Sequence, residues 1–191
     1  NIEIYAMEEH PRLSLGLLAL GRAYAAMAMY SDAASTITEA GSSLVKIFGE
    51  KSAAVGEAIL ALAEISSAKG HTRDALLQYS HAYHLIATQL NPSHPRLLSI
   101  LIAAAENMFS NGYNAQCQCT VDYVLNMLEK ILPGLEERNK LAYGALLMKG
   151  QVYMATSNEN PANLAAAEKL LESAMYAARQ SCGSHTTKHA K

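Results

Sequence analysis

The amino-acid sequence predicts an all-α chain built as an array of antiparallel helical hairpins. Three observations carry that prediction. Half of the 191 residues are hydrophobic, Ala and Leu dominate, there are five Pro, and runs of β-branched residues are few, a composition that favours helix nearly throughout. Large and small residues return to their own columns every 42 positions, and self-similarity at a fixed period marks a repeat architecture. Turn-forming stretches also recur between segments of helical length: Tyr30-Ser-Asp, Lys69-Gly-His-Thr, Asn111-Gly-Tyr-Asn and Ser157-Asn-Glu-Asn-Pro.

The columns are read from a small residue in the first helix of each hairpin: Gly21, Ala63 and Ala105. Four residues earlier stand Leu17, Ile59 and Leu101. In the second helix the columns are Ala33, Ala75 and Cys117, then Ile37, Tyr79 and Val121, then Ala40, Ala82 and Val124. A fourth copy follows with Leu146, Gly150 and Tyr153 and, after a five-residue insertion, Ala167, Leu171 and Ala174. Small residues seven apart lie on one helix face, so Ala33 with Ala40, Ala75 with Ala82, and Ala167 with Ala174 are expected where two helices cross closely. Leu20, Tyr24, Leu62, Met108 and Tyr79 are expected to fill the space around those crossings. Ser31 or Asp32, Thr72, Asn114 and Asn160 are suited to cap the second helices, and Pro161 to a first helical position. His-Pro-Arg-Leu occurs at residues 10–13 and again at 94–97, two periods apart, with Lys51-Ser-Ala-Ala in the intervening slot. Pro11 and Pro95 read as first-turn residues, with His10 and His94 as extended boundary residues before them.

Composition also excludes classes. With 17% charged residues and a formal net charge of −2, the chain is neither generally disordered nor drawn to nucleic acid by bulk charge. No uncharged apolar stretch reaches membrane-spanning length, and no secretory leader pattern opens the chain. Three cysteines, Cys117, Cys119 and Cys182, are an odd count that suits a reducing, intracellular (cytoplasmic) compartment better than a disulfide framework. The first residue is Asn, which raises the expectation of a piece cut from a larger protein.

The columns Leu17-x2-Leu20-Gly21-x2-Tyr24…Ala33-x3-Ile37-x2-Ala40 resemble the tetratricopeptide consensus, with Leu in place of its Trp. The second unit keeps Ile59, Leu62, Ala63, Ala75, Tyr79 and Ala82 but has Ser66 in the Tyr column. The third carries Ala104, Met108, Cys117 and Val124, and the fourth puts Lys149 in a usually apolar column. The 42-residue period, the His-Pro helix entry and the Phe-Gly-Glu-Lys-Ser stretch at 48–52 are similar to the kinesin-light-chain-like subclass of these repeats. The resemblance implies a right-handed α-solenoid, a tetratricopeptide-like superhelix. Its units are expected at residues 10–50, 51–92, 93–134 and 135–182, with an inter-helix insertion near 156–161. Residues 1–9 then fall in register with the end of a preceding repeat's second helix, and 183–191 read as a disordered tail.

Chemistry is hard to assemble from this chain. No phosphate-binding loop, dinucleotide fingerprint, zinc-protease motif or nucleophile elbow occurs, so no enzyme, metal or cofactor is expected. Glu8-Glu9 and Glu136-Glu137 sit at helix entries, where negative charge favours the helix dipole. Cys117-Gln-Cys119 is not a C-x-x-C motif, and Cys117 occupies a packing column. His81 and His84 read as surface or packing residues, and His185 and His189 as part of the tail.

The resemblance places partner binding on the first helices, one residue after the small column and three or four residues either side. The stripe is Arg12, Leu15, Leu18, Arg22 and Ala25 in the first unit, and Ala54, Glu57, Leu60, Glu64 and Ser67 in the second. It continues as Arg96, Ser99, Ile102, Glu106 and Phe109 in the third, and Gly144, Leu147, Gln151 and Met154 in the fourth. Chaperone-binding relatives hold a C-terminal carboxylate with Lys and Asn at such positions, and here that clamp is absent. The expected groove has an apolar floor (Leu18, Leu60, Ile102, Leu147), an acidic middle (Glu64, Glu106) and basic helix starts (Arg12, Arg96). It suits a protein or peptide with apolar anchors and some basic character, bound as a short helix or extended segment. Two other readings stand beside this scaffold. One is self-association through exposed residues of a terminal repeat. The other is a non-catalytic helical domain of a larger enzyme, as in SET/MYND-type lysine methyltransferases.

Overall fold

The computed structural model describes residues 10–131, 136–157 and 162–182, apart from the side chains of Glu136, Glu137, Gln180, Ser181 and Cys182. Residues 1–9, Asn160, Pro161 and 183–191, with the expectations attached to them, lie outside the described residues. The described regular structure is all α-helix and falls into two compact units, residues 1–91 and 92–191. The first unit holds α1 (Pro11–Ala26), α2 (Tyr30–Phe48), α3 (Ala53–Ala68) and α4 (Thr72–Ala87). The second holds α5 (Pro95–Ser110), α6 (Asn114–Glu129), α7 (Glu136–Ala155) and α8 (Ala162–Cys182). Each unit is two antiparallel hairpins set side by side, the repeating arrangement of an all-α solenoid.

Close crossing within the hairpins fixes the columns. A Cβ built at Gly21 on α1 would run into Ile37 Cγ1 and stand 3.3 Å from the Ala33 carbonyl oxygen on α2. At Gly150 on α7 it would stand 3.1 Å from Leu171 Cδ2 and 3.7 Å from the Ala167 carbonyl oxygen on α8. The second hairpin adds another point of near contact, where a Cβ at Gly56 would lie 2.9 Å from Ile86 Cγ1. Ala33, Ala40, Ala75, Ala82, Ala167 and Ala174 are all buried, as are Cys117, Val121 and Val124. Tyr79 is buried, and Tyr24, Leu62 and Met108 pack against the cores as expected. Leu20 does not. It is exposed: among the described residues no helix packs against that side of α1.

The hairpin turns depart from the capping scheme read from sequence. Ala28, Gly70 and Gly112, 42 residues apart, each adopt positive φ (59°, 77° and 79°). The next residue in each turn donates its backbone N–H to the carbonyl five residues back: Met29 to Tyr24, His71 to Ser66 and Tyr113 to Met108, all at 2.9 Å. The N–H groups of Ala28, Gly70 and Gly112 bond to Ala25, Ser67 and Phe109. This pair of bonds is the Schellman termination, which satisfies the last carbonyls of a helix. Met29, His71 and Tyr113 then serve as N-caps of the second helices, without any side-chain capping bond. Thr72 and Asn114 already stand at first helical positions, and Ser31 and Asp32 follow Tyr30 inside α2, so none caps. Asp32 and Asp74 instead place negative charge in first turns.

The first-helix entries follow the punctuation expected of His-Pro. His10 and His94 are N-caps in extended backbone, and their Nδ1 atoms accept the N–H of Arg12 and Arg96 at 3.1 Å. The intervening entry is at Ser52, 42 residues after His10 and 42 before His94, so it keeps the period and the slot begins at Ser52, not at Lys51. Ser52 is the N-cap there and its Oγ accepts the Val55 N–H at 3.3 Å. Lys149, anomalous in its column, pairs with Asp122 of α6 at 2.7 Å and lies over the Tyr153 ring at 5.9 Å from its centroid.

Ala28→Gly is expected to stabilise the protein by about 1 kcal/mol, because Gly adopts the left-handed region without the steric cost of a Cβ; a thermal or denaturant midpoint that stays put would contradict this. Gly21→Leu forces bulk into the α1–α2 crossing and is expected to destabilise by about 1–3 kcal/mol or more, measured by urea unfolding.

Candidate protein-interaction surface

In the first unit the stripe on α1 and α3 is held by an ion pair. Arg22 Nη2 of α1 donates to Glu57 Oε2 of α3 at 2.8 Å and reaches the Glu57 carbonyl oxygen at 3.5 Å. Both expected binding residues are therefore engaged with each other, cation against carboxylate, across neighbouring first helices. Such a partly exposed pair adds roughly 1 kcal/mol or less to stability, but it fixes two long side chains in place. Arg12 and Leu15 are exposed on α1 and Glu64 is exposed on α3.

The apolar floor is placed differently from the expectation. Leu18 is in the core with Ala33, Ile37 and Ala61, and Leu60 is buried as well. Ile102 of α5 is buried against α7, where a Cβ at Gly144 would lie 3.7 Å from Ile102 Cγ2. Neighbouring first helices approach closely, so side chains midway along the stripe become packing between helices. Leu147, Gln151 and Phe109 keep partial exposure, with Phe109 against the core of the second unit.

The second unit has a cleft that sequence reasoning finds only in part. His94, Pro95, Arg96 and Ser99 of the α5 entry face Lys140 and Leu141 of α7 around a space of about 310 Å³. Arg96 is among the residues expected at the groove. Leu141 occupies the same slot one repeat on, three residues before Gly144, so one further helical step along the stripe identifies it, with Lys140 beside it.

Farther along α5, Glu106 is exposed at its edge, yet partial burial of its carboxyl raises its pKa from the usual carboxylate value. Burial pushes the Cys117 thiol up to about 11, away from a nucleophile's range, and Cys119 is a free thiol exposed on α6. His81 and His84 are exposed, and His84 meets the Tyr83 ring edge-on at 6.0 Å between centroids. Among the described residues no group of three or more His, Cys, Asp or Glu side chains is placed to hold a metal ion. Among them too, no helix is long and apolar enough to cross a membrane.

The geometry is that of tetratricopeptide-like helical repeats, and comparison with solved structures agrees. The chain is similar to a structure of nearly identical tetratricopeptide-like repeats from a putative kinesin light chain of Podospora anserina, at 18% identity and a TM-score of 0.59. The match covers 90% of this chain and 89% of that one. A single-substitution variant of the same protein matches at 18% identity and a TM-score of 0.58 over the same shares. No protein-family model and no curated protein matches the chain. At this identity the likeness establishes the fold alone: an all-α, tetratricopeptide-like repeat array.

Glu106→Gln is expected to raise the unfolding midpoint at pH 7. The folded state holds the Glu106 proton more tightly than the unfolded chain, so ionisation costs folding free energy as pH rises through its raised pKa, and that cost is absent well below 4.5. The advantage of the Gln variant should therefore shrink as pH falls through that raised pKa and be gone well below 4.5, in melts recorded from pH 3 to pH 8.

Proposed function

We propose that this protein is a non-catalytic, intracellular interaction scaffold that takes a peptide or helical segment of a partner protein on its first-helix face. The observation that carries the reading is the division of labour on those helices. Their middle residues, Leu18, Leu60 and Ile102, are buried packing, while charged and partly apolar side chains remain at the edge. The contact set in the first unit is Arg12, Leu15, Glu64 and the Arg22–Glu57 pair. In the second it is Arg96, Glu106, Phe109, Leu147 and Gln151.

The partner chemistry follows from that set. Glu64 and Glu106 occupy the same slot of successive repeats, so each unit by itself offers a carboxylate beside its first-helix stripe. Apolar surface at Leu15 in the first unit, and at Phe109 and Leu147 in the second, supports an apolar anchor, and a basic segment with such an anchor complements the carboxylate of either unit. The TPR-like fold supports a protein partner, because arrays of this kind present extended binding surfaces.

A Glu64→Lys/Glu106→Lys double variant is expected to weaken binding of the natural partner at least 10-fold while the helical circular-dichroism signal is kept. Unchanged affinity by titration calorimetry would exclude the carboxylate pair as a contact.

A further inference from the structure

The two slots that hold an ion pair in the first unit carry different residues in the second. Arg22 stands one residue after the small column of α1, and Glu57 six residues before that of α3. Their side chains meet at 2.8 Å. The same slots of α5 and α7 hold Glu106 and Gly144. The cation has become a carboxylate, and the side chain that would answer it is missing altogether. Gly144 leaves a notch: a Cβ built there meets nothing nearer than Ile102 Cγ2 at 3.7 Å. Ile102 stands one helical turn before Glu106 on the same face of α5.

The Glu106 carboxyl has lost water without gaining a counter-charge. Burial raises its pKa, and among the described residues its side chain has no hydrogen-bond or ion-pair partner. The cations of α7 are placed elsewhere. Arg138 donates to the Leu128 carbonyl oxygen at 3.0 Å, Lys149 pairs with Asp122 at 2.7 Å, and Lys140 lines the cleft at the helix start.

Resting on the reading of the first-helix face as an interaction surface, we propose that the Glu106–Gly144 notch is a recognition site for one arginine side chain of a protein partner. The methylene stem lies over Ile102 through the gap at Gly144, and the guanidinium closes on the Glu106 carboxylate. Arginine suits the notch better than lysine for two reasons. Its guanidinium is more weakly hydrated, so it enters a partly desolvated site at lower cost, and its fork can take both carboxylate oxygens. The first unit supplies the precedent, since an arginine there bridges neighbouring first helices from the same pair of slots. Phe109 and Leu147, partly exposed on the same two helices, offer apolar surface to the partner residues beside the arginine.

The test uses a short capped peptide with one leucine and one arginine, and a twin in which citrulline, of the same shape but uncharged, replaces the arginine. The chain is expected to bind the arginine peptide roughly tenfold more tightly than its twin, the worth of one charge-assisted hydrogen bond. Glu106→Gln is expected to erase that ratio, and Glu64→Gln, in the same slot one repeat earlier, to keep it. Gly144→Arg supplies the cation from the chain itself. It is expected to abolish the discrimination and to raise the thermal midpoint above that of Gly144→Gln, a difference lost once Glu106→Gln is added. Equal affinity for the two peptides, binding of neither, or a ratio that survives Glu106→Gln overturns the proposal, as do equal midpoints for the two Gly144 variants. The peptide ratio is read without the natural partner, so the site and the surface fail separately. A ratio of one beside a partner weakened by Glu64→Lys/Glu106→Lys overturns the arginine site and leaves the interaction surface standing.

Discussion

The contact between the two helices of a hairpin is set by backbone meeting backbone, and most of the remaining structure follows from it. At Gly21, Gly56 and Gly150 a Cβ would fall within 3.7 Å of a carbonyl oxygen on the facing helix. At that separation the alanines of the second helix have no room to be anything larger, and Ala33, Ala82 and Ala167 are essentially without exposure. Ile37 fills the crossing itself, over Gly21, while Leu44, Val121 and Leu128 stand to the flanks in the cores of the two units. A hairpin without its neighbour leaves that flank in water, which is why such units gain stability from stacking and lose it at a free end.

The same geometry decides which residues are available to a partner. First helices of successive hairpins lie close, with Gly144 admitting Ile102 between α7 and α5. Apolar side chains midway along the row therefore belong to folding, and only the edges remain accessible. There, Arg22 and Glu57 neutralise each other at 2.8 Å, and the Glu106 carboxyl already bears part of a desolvation cost. A carboxylate held in that condition gains more from an incoming cation than a fully hydrated one, because part of its water has been removed in advance.

How much of this is legible in the sequence depends on whether a feature is local to a period. The columns Gly21, Ala33, Ile37 and Ala40 are legible because an obligatory close contact restricts size at fixed spacing, and the structure buries them as the columns require. The His10 and His94 entries are legible because proline constrains the residue before it. The N-caps differ from expectation because Ser, Thr, Asp and Asn near a helix start usually signal a side-chain cap, whereas here the Schellman turn makes one residue both the end of one helix and the cap of the next. The repeat of Gly70 and Gly112 with Ala28 in the same slot is the signal that points to it. Helical spacing puts Leu18, Leu60 and Ile102 on a groove floor, but it identifies only a face and not the distance to the next helix, which buries them. Lys149 is unexplained within its column because its partner, Asp122, lies on another helix 27 residues earlier.

Leu20 and Lys149 stand in one column of the repeat, and the contrast between them shows how an array of similar hairpins specifies its order. A lysine there demands an acidic second helix before it, and Asp122 supplies one. A leucine in that slot demands an apolar helix, since a carboxylate set against it loses hydration without gaining a counter-charge. These two hairpins thus share a glycine at the crossing, Gly21 and Gly150, and differ in the column beside it. Uniform crossings make the units stackable, and the variable column between them restricts which unit stacks on which.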